Sequence, residues 1–129
     1  MERTAKNFRK RNAILTCLRQ SKAHPSAEWV YAQLKAEYPD ISLGTVYRNL
    51  ALFKEQGLVI SVGTVNGVER FDANTDPHVH FICSGCDAVI DLEEMEVPET
   101  LRQMAETCCG GSVEGCQLSF TGSCRKCTN

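Results

Sequence analysis

Apolar residues recur at helical spacing in three places within the first 57 residues. The three stripes are Ile14, Leu15, Cys17 and Leu18, then Ala27, Val30, Tyr31 and Leu34, and then Leu43, Val46, Leu50 and Phe53. Ser26 and Ser42 stand where helix N-caps belong, and Gly57 follows the third stripe as a C-terminal glycine would. The segment Tyr38-Pro39-Asp40 ends the second stripe. The pattern predicts three helices.

After Gly57 the pattern becomes that of β-strands. Two β-prone segments, Val59-Ile60-Ser61-Val62 and Val68-Glu69-Arg70-Phe71, flank a turn that contains Asn66-Gly67, which is typical of a hairpin. Three helices followed by a hairpin predict a winged-helix domain, with an arbitrary small helical domain as the alternative. The outward face of the third helix carries small and polar residues and Arg48, which suits a helix in the DNA major groove.

The charge of the chain is unevenly distributed. Fourteen Lys and Arg against sixteen Asp and Glu give a net charge of −2 over 129 residues. Residues 1–57 nevertheless carry a net charge of +5 and residues 58–129 one of −7. A basic half suggests contact with a polyanion, although chance surface charge is the alternative. No apolar run is long enough for a membrane span, and no signal peptide is recognisable, so we expect a cytoplasmic protein.

Four of the eight cysteines stand in two C-x-x-C pairs, Cys83-Ser84-Gly85-Cys86 and Cys124-Arg125-Lys126-Cys127. Each pair presents two thiolates from one tight turn, called a knuckle here, and two knuckles complete a tetrahedral thiolate site of the structural zinc type. Buried free cysteines, disulfides and a thiol redox motif are the alternatives. Cys17 is expected in the core. Cys108, Cys109 and Cys116 are expected to be buried or incidental, with a redox role as the alternative.

A second candidate metal site begins at His78-Val79-His80. On a strand both imidazoles point to the same side. If this strand pairs antiparallel with residues 88–92, with Cys83 opposite Ala88, Asp91 lies directly across from His80. Two histidines and a carboxylate form a site for Fe(II), Mn(II) or Zn(II), and ordinary surface histidines are the alternative. His24 and Asp72 are unremarkable alone, and residues 75–77 form the expected hinge.

Together these residues make the chain resemble the ferric uptake regulator family of metal-dependent repressors. The shared motifs are His24-Pro25-Ser26-Ala27-Glu28, Thr45-Val46-Tyr47-Arg48-Asn49-Leu50, Arg70-Phe71-Asp72, residues 78–86 and Cys124-Arg125-Lys126-Cys127. The resemblance covers nearly the whole chain. It implies an α+β fold, with a winged-helix DNA-binding domain at residues 1–74 and an α/β dimerisation and metal-binding domain at residues 75–129.

The resemblance also indicates a branch of the family. Peroxide-sensing members hold the regulatory metal at positions that correspond to His24, Asp72, His78, His80 and Asp91, and all five are present. Iron sensors usually have glutamate at the two acidic positions, and zinc sensors usually have cysteine at position 72. The sequence is therefore most similar to peroxide sensors, with Fe²⁺ or Mn²⁺ as regulatory metal, Zn²⁺ as structural metal, and oxidation at His24 and His78. The alternatives are an iron-responsive repressor, a thiol-based redox protein and a zinc-ribbon interaction module.

The DNA contacts come from two sources. The resemblance implies Tyr47 and Arg48, and position on the third helix adds Ser42 and Thr45 as our own inference. Basic residues at 6, 9, 10, 11 and 54 are expected to contact phosphates. We expect a homodimer that reads an inverted repeat and has no enzymatic activity. Two departures from the family are expected. The helix that many members carry before the one around Ile14 is missing or short, and there is no third metal site, since no histidine follows His80.

Overall fold

In a computed structural model of the chain, residues 2–76 and 78–128 are described, with side chains from residue 7 onwards. The predicted phosphate contact at Lys6 and the hinge residue Pro77 lie outside these descriptions. The chain folds as two compact units, Met1–Thr75 and Asp76–Asn129. Among the helices of the described residues, none combines the length and the apolarity that a membrane span requires.

The first unit contains the three predicted helices, α1 (Glu2–Gln20), α2 (Ala27–Leu34) and α3 (Leu43–Glu55). Ser26 and Ser42 cap α2 and α3, each accepting a hydrogen bond from the backbone N–H three residues later. Gly57 follows α3 with a φ of +76°, in the left-handed conformation that glycine adopts without strain. Both N-caps and the terminating glycine are thus as predicted.

The start of α1 agrees with the prediction, whereas the end of α2 differs from it. Helix α1 begins at Glu2, so in the described part of the chain the residues ahead of Ile14 extend α1 and do not form a separate helix. Helix α2 ends at Leu34, before Tyr38-Pro39-Asp40. The chain continues in one further turn, in which the N–H of Tyr38 still donates to the carbonyl of Leu34.

A hairpin completes the first unit. Strands β1 (Ile60–Val65) and β2 (Val68–Asp72) pair antiparallel. Asn66 and Gly67 both have positive φ, at +50° and +80°, as a two-residue hairpin turn requires. The winged-helix prediction is confirmed by this order of elements. Its core consists of Ile14, Leu18, Ala27, Val30, Leu34, Ile41, Val46, Leu50, Phe53, Val59 and Phe71.

The second unit is built on a three-stranded sheet in the order β4-β3-β5. Its elements are β3 (Val79–Cys83), β4 (Val89–Leu92), α4 (Glu99–Cys109), β5 (Leu118–Gly122) and α5 (Arg125–Thr128). Strands β3 and β4 are antiparallel with His80 opposite Asp91, which confirms the predicted register. Strand β5 runs parallel to β3 on its other side. The mixed helix and strand content confirms the α+β class.

Candidate metal centres and the recognition helix

The four knuckle cysteines meet at one end of the second unit. Cys83 is the last residue of β3, and Cys86 lies in the turn that follows it. Cys124 immediately precedes α5, and Cys127 lies within α5. Their Sγ atoms all lie within 4.8 Å of one another, and those of Cys86 and Cys124 are 3.8 Å apart. A zinc ion with Zn–S bonds of about 2.3 Å in a tetrahedron separates its sulfur atoms by about 3.8 Å. The four thiols therefore fit a zinc ion.

The backbone around Cys83 favours its thiolate. The N–H groups of Cys124 and Gly85 each point at Cys83 Sγ, at 3.3 Å. The bond from the backbone of Cys124 contributes most to lowering the pKa of Cys83 to about 6. Hydrogen bonding with Cys83 and the other thiols instead raises the pKa of Cys127 to about 12 in the metal-free form. Because metal binding requires deprotonated thiols, this backbone arrangement favours the form of Cys83 that a cation would bind.

Gly85 is required by this packing. A Cβ atom at position 85 would come within 2.9 Å of Cys127 Sγ and 3.1 Å of Cys127 Cβ. The first knuckle therefore has room for the second only because position 85 has no side chain. The C-x-x-C spacing alone does not reveal this close approach.

Within the first unit, His24 lies in the loop before α2, and Asp72 lies at the end of the hairpin formed by β1 and β2, which is the wing of the winged helix. The two side chains lie beside each other. Their Nε2 and Oδ2 atoms are 3.1 Å apart, and both side chains are buried. The N–H of Asn74 donates to Asp72 Oδ1 at 2.8 Å and so orients the carboxylate. His24 and Asp72 thus form a buried imidazole–carboxylate pair within the winged-helix unit.

Within the second unit, β3 and β4 bring together His78, His80 and Asp91. Asp91 Oδ1 lies 3.1 Å from His78 Nε2 and 3.3 Å from His80 Nε2. His78 Nδ1 is 2.6 Å from the carbonyl of Asp76, which can only accept, so Nδ1 carries a proton. In the neutral imidazole, Nε2 then carries a lone pair that faces a carboxylate oxygen. Because both atoms are acceptors, a shared proton or a metal cation between them would stabilise the arrangement.

The chemistry of these donors differs from that of the cysteine cluster. Imidazole nitrogen and carboxylate oxygen suit Fe(II), Mn(II) and similar divalent ions, whereas four thiolates select zinc. The residues present therefore fit a transition metal of the iron or manganese type as well as a structural zinc.

The N-terminal turn of α3, the candidate recognition helix, is internally hydrogen-bonded. Ser42 Oγ accepts from the N–H of Thr45 at 3.1 Å and lies 2.9 Å from Thr45 Oγ1. Arg48 donates to Thr45 Oγ1 at 3.1 Å. Ser42 and Thr45 therefore cap the helix and hold Arg48, and their direct contact with DNA stays a prediction.

Tyr47 is exposed on the same helix and has a partner that the sequence did not reveal. Its hydroxyl donates to Glu28 Oε1 on α2 at 2.5 Å. This bond lowers the pKa of Glu28 and raises that of Tyr47, because it is made to the anionic carboxylate and uses the phenol proton. Glu28 belongs to the His24-Pro25-Ser26-Ala27-Glu28 motif, but nothing in one sequence pairs it with Tyr47.

The remaining cysteines differ from one another in exposure. Cys17 is half-buried at the edge of the first core, and burial raises its pKa. Cys108, Cys109 and Cys116 are exposed. Of the two readings expected for these three, burial is therefore wrong, and an incidental role stays a prediction. Cys108 and Cys109 end α4, none of whose residues is buried, and Cys116 lies in the following loop.

Three comparisons relate the chain to known proteins. The model of the ferric uptake regulator family matches residues 2–121. The peroxide operon regulator of Bacillus subtilis is 36% identical over 118 residues, which are 92% of this chain and 81% of the relative.

Solved structures are similar over nearly the whole chain. The Campylobacter jejuni peroxide stress regulator has a TM-score of 0.82 and 30% identity, over 98% of this chain and 94% of its own. The ferric uptake regulator of Francisella tularensis, solved with iron, has a TM-score of 0.74 and 26% identity, over 92% and 91%. From the matched residues and the two donor sets, we conclude that this chain belongs to the ferric uptake regulator family.

Proposed function

We propose that this chain is a metal-dependent transcriptional repressor that binds DNA and senses hydrogen peroxide through oxidation of its metal-ligand histidines. The observation that carries the proposal is the set of imidazole and carboxylate donors, in which both acidic positions are aspartate. Similarity to regulators named for peroxide in Bacillus subtilis and Campylobacter jejuni supports it.

In this proposal His24, Asp72, His78, His80 and Asp91 hold one regulatory metal ion, Fe²⁺ or Mn²⁺. Two donors belong to the first unit and three to the second, on either side of the chain segment 75–77. A metal held by both groups would restrict this hinge and favour the DNA-binding arrangement. Loss of a ligand would release the restriction and weaken DNA binding.

Bound Fe²⁺ would supply the activation of peroxide. In the balanced reaction one peroxide molecule would transfer one oxygen atom to a carbon of a neighbouring imidazole, the ring would give up two electrons to peroxide, and the other oxygen would leave as water. His24 and His78 are the imidazoles we expect to be oxidised. The carboxylates of Asp72 and Asp91 lie beside the Nε2 atoms of these rings, so that each imidazole–carboxylate pair could bind the same ion, and the carbonyl of Asp76 fixes the tautomer of His78. The Cys83, Cys86, Cys124 and Cys127 cluster would hold structural Zn²⁺ and take no part in sensing.

The DNA-binding role is proposed for α3 and its surroundings. Tyr47 and Arg48 would contact bases, Ser42 and Thr45 would support or extend these contacts, and Arg9, Lys10, Arg11 and Lys54 would contact phosphates. We propose a homodimer that binds an inverted repeat in the cytoplasm. The acidic second unit would supply the two-fold interface.

The proposal is tested by treating Fe(II)-loaded protein with mild peroxide and mapping the products by mass spectrometry. We expect one added oxygen atom on His24 or His78, together with release of an inverted-repeat DNA. Mn(II)-loaded protein is the control, and it should bind DNA without being oxidised. Unmodified histidines would leave an iron-responsive repressor as the function.

The same samples test the thiol-based alternative. We expect zinc to stay bound, and the four knuckle thiols to resist alkylation, while DNA is released. Release of zinc and formation of disulfides before any histidine is oxidised would instead support a thiol-based redox protein.

A further inference from the structure

Arg70 connects the wing to the loop that carries His24. From β2, its Nε donates to the carbonyl of His24 and its Nη2 donates to the carbonyl of Ala23 at 2.6 Å. The N–H of the next residue, Phe71, donates to the carbonyl of Pro25 at 3.0 Å. Two neighbouring wing residues therefore hold three consecutive carbonyl groups of this loop.

The loop needs such support because of its backbone conformation. His24 has a φ of +55°, in the left-handed region that non-glycine residues adopt only at a cost. The following Pro25 restricts the conformations open to residue 24 still further. A conformation of this kind persists where its surroundings fix it, and the donors of Arg70 and Phe71 provide this fixation.

The same strand carries the partner of His24. Asp72 stands two residues after Arg70 on β2, so both side chains leave the strand on the same side. Arg70 thus fixes the backbone of His24 while Asp72 meets its Nε2 at 3.1 Å. Strand β2 therefore contacts this loop twice, through Arg70 at the backbone and through Asp72 at the imidazole, and both contacts determine the geometry of the imidazole–carboxylate pair.

We propose that Arg70 is a positioning residue of the regulatory metal site, which preorganises His24 opposite Asp72 and links metal binding to the conformation of the wing. The inference rests on the proposed role of His24 and Asp72 as metal ligands. Arg70 touches neither metal nor substrate and acts through the backbone of residues 23 and 24. Its fork of donors suits two neighbouring carbonyls, whereas a lysine ammonium is a single point charge.

The test measures Mn(II) affinity by titration of the full-length, zinc-containing protein. Arg70→Met keeps much of the aliphatic stem and removes both donors, and we expect it to weaken Mn(II) binding about 10- to 100-fold, as for other residues that orient metal ligands. Arg70→Lys should fall between Arg70→Met and the wild type. Lys35→Met removes one positive charge elsewhere in the first unit and should leave Mn(II) affinity unchanged.

A double-mutant cycle with His24→Ala separates positioning from general destabilisation. If Arg70 acts through His24, Arg70→Met should lower Mn(II) affinity no further once His24 is alanine. An additional loss of the full size in that background would overturn the inference, since it would show that Arg70 merely stabilises the unit. Unchanged Mn(II) affinity in Arg70→Met alone would overturn it as well.

The cycle also separates failure of the proposed metal site from failure of the role of Arg70. If His24→Ala binds Mn(II) as tightly as the wild type, His24 is not a ligand, and the proposed function fails together with the inference. If His24→Ala weakens binding and Arg70→Met does not, the proposed site stands and only the role of Arg70 is lost.

Discussion

The two proposed metal sites of this chain differ in where their donors come from. The four thiols come from two short knuckles of one unit, each pair separated by two residues. The imidazole and carboxylate donors come from the loop before α2, the end of the wing, and strands β3 and β4. A cluster made by tight turns of one unit stabilises that unit. The proposed regulatory site would draw its donors from both units, which would let binding of the metal act as a signal.

The chemistry of the donors agrees with this difference. Four thiolates close the coordination shell of zinc, and the energy of binding contributes directly to folding. Imidazoles and carboxylates bind iron or manganese less tightly than four thiolates bind zinc, so the regulatory metal can exchange with metal in solution. We therefore expect removal of the two metals to have different consequences, one for folding and one for DNA binding.

The largest effect is expected from Cys83→Ser. This thiol is buried, and its substitution breaks a site of a type whose apparent zinc-binding energy is about 10–16 kcal/mol. The variant should lose its zinc, and its second unit should no longer unfold cooperatively. Metal analysis and hydrogen exchange resolved along the chain provide the measurement.

Cys109→Ser is the matched control for this variant. Cys109 is an exposed thiol of the same unit outside the cluster, so one zinc per chain should remain. Full zinc content in Cys83→Ser would remove the structural role that we assign to the cluster.

The next largest effect is expected from His80→Ala. The His80 side chain is buried beside Asp91, and loss of a ligand should weaken Mn(II) binding by more than the roughly 10- to 100-fold typical of residues that only orient ligands. Zinc content and fold should be retained. Titration with Mn(II), with Glu93→Gln as an exposed acidic control, checks this. Loss of zinc in His80→Ala would contradict the independence of the two clusters.

A smaller and more selective effect is expected from Asp72→Glu. The longer side chain cannot keep both the bond from the N–H of Asn74 and the 3.1 Å approach to His24. It still offers a carboxylate, so Mn(II)-dependent DNA binding should persist. Histidine oxidation by peroxide should fall about tenfold or more, since misplacing a reacting group by about 1 Å can cost about 100-fold in rate. The rate of oxygen incorporation in Fe(II)-loaded protein is the measurement. An unchanged rate would show that any carboxylate at this position supports sensing.

The smallest effect is expected from Tyr47→Phe, which should leave both metals untouched. Removing a hydroxyl that bonds Glu28 on the proposed DNA face should lower operator affinity about 2- to 10-fold. The dependence of affinity on salt should not change. Arg9→Ala, by comparison, should reduce the salt slope by about one, as loss of a phosphate contact does. A changed metal content in Tyr47→Phe would show that α3 affects the clusters directly.

Much of the fold could be predicted because its signals are local. The N-caps Ser26 and Ser42, the turn Asn66-Gly67 and the knuckle spacing each depend on a few neighbouring residues. The register that places His80 opposite Asp91 followed from one assumption about the tight turn between them, and the structure confirms it. The resemblance to the family added the isolated residues His24 and Asp72 to the proposed regulatory set.

Other features depend on contacts between residues far apart in the chain. The sequence by itself determined the donor types, the zinc knuckles, the winged-helix order and the division of charge, since these follow from residue chemistry and short-range spacing. Only the tertiary structure decided that Arg70 holds the backbone of residues 23 and 24, that Glu28 binds Tyr47, and that position 85 must be glycine. These contacts arise where separate elements pack against one another, and neither spacing nor composition of a single sequence encodes which side chains will meet there.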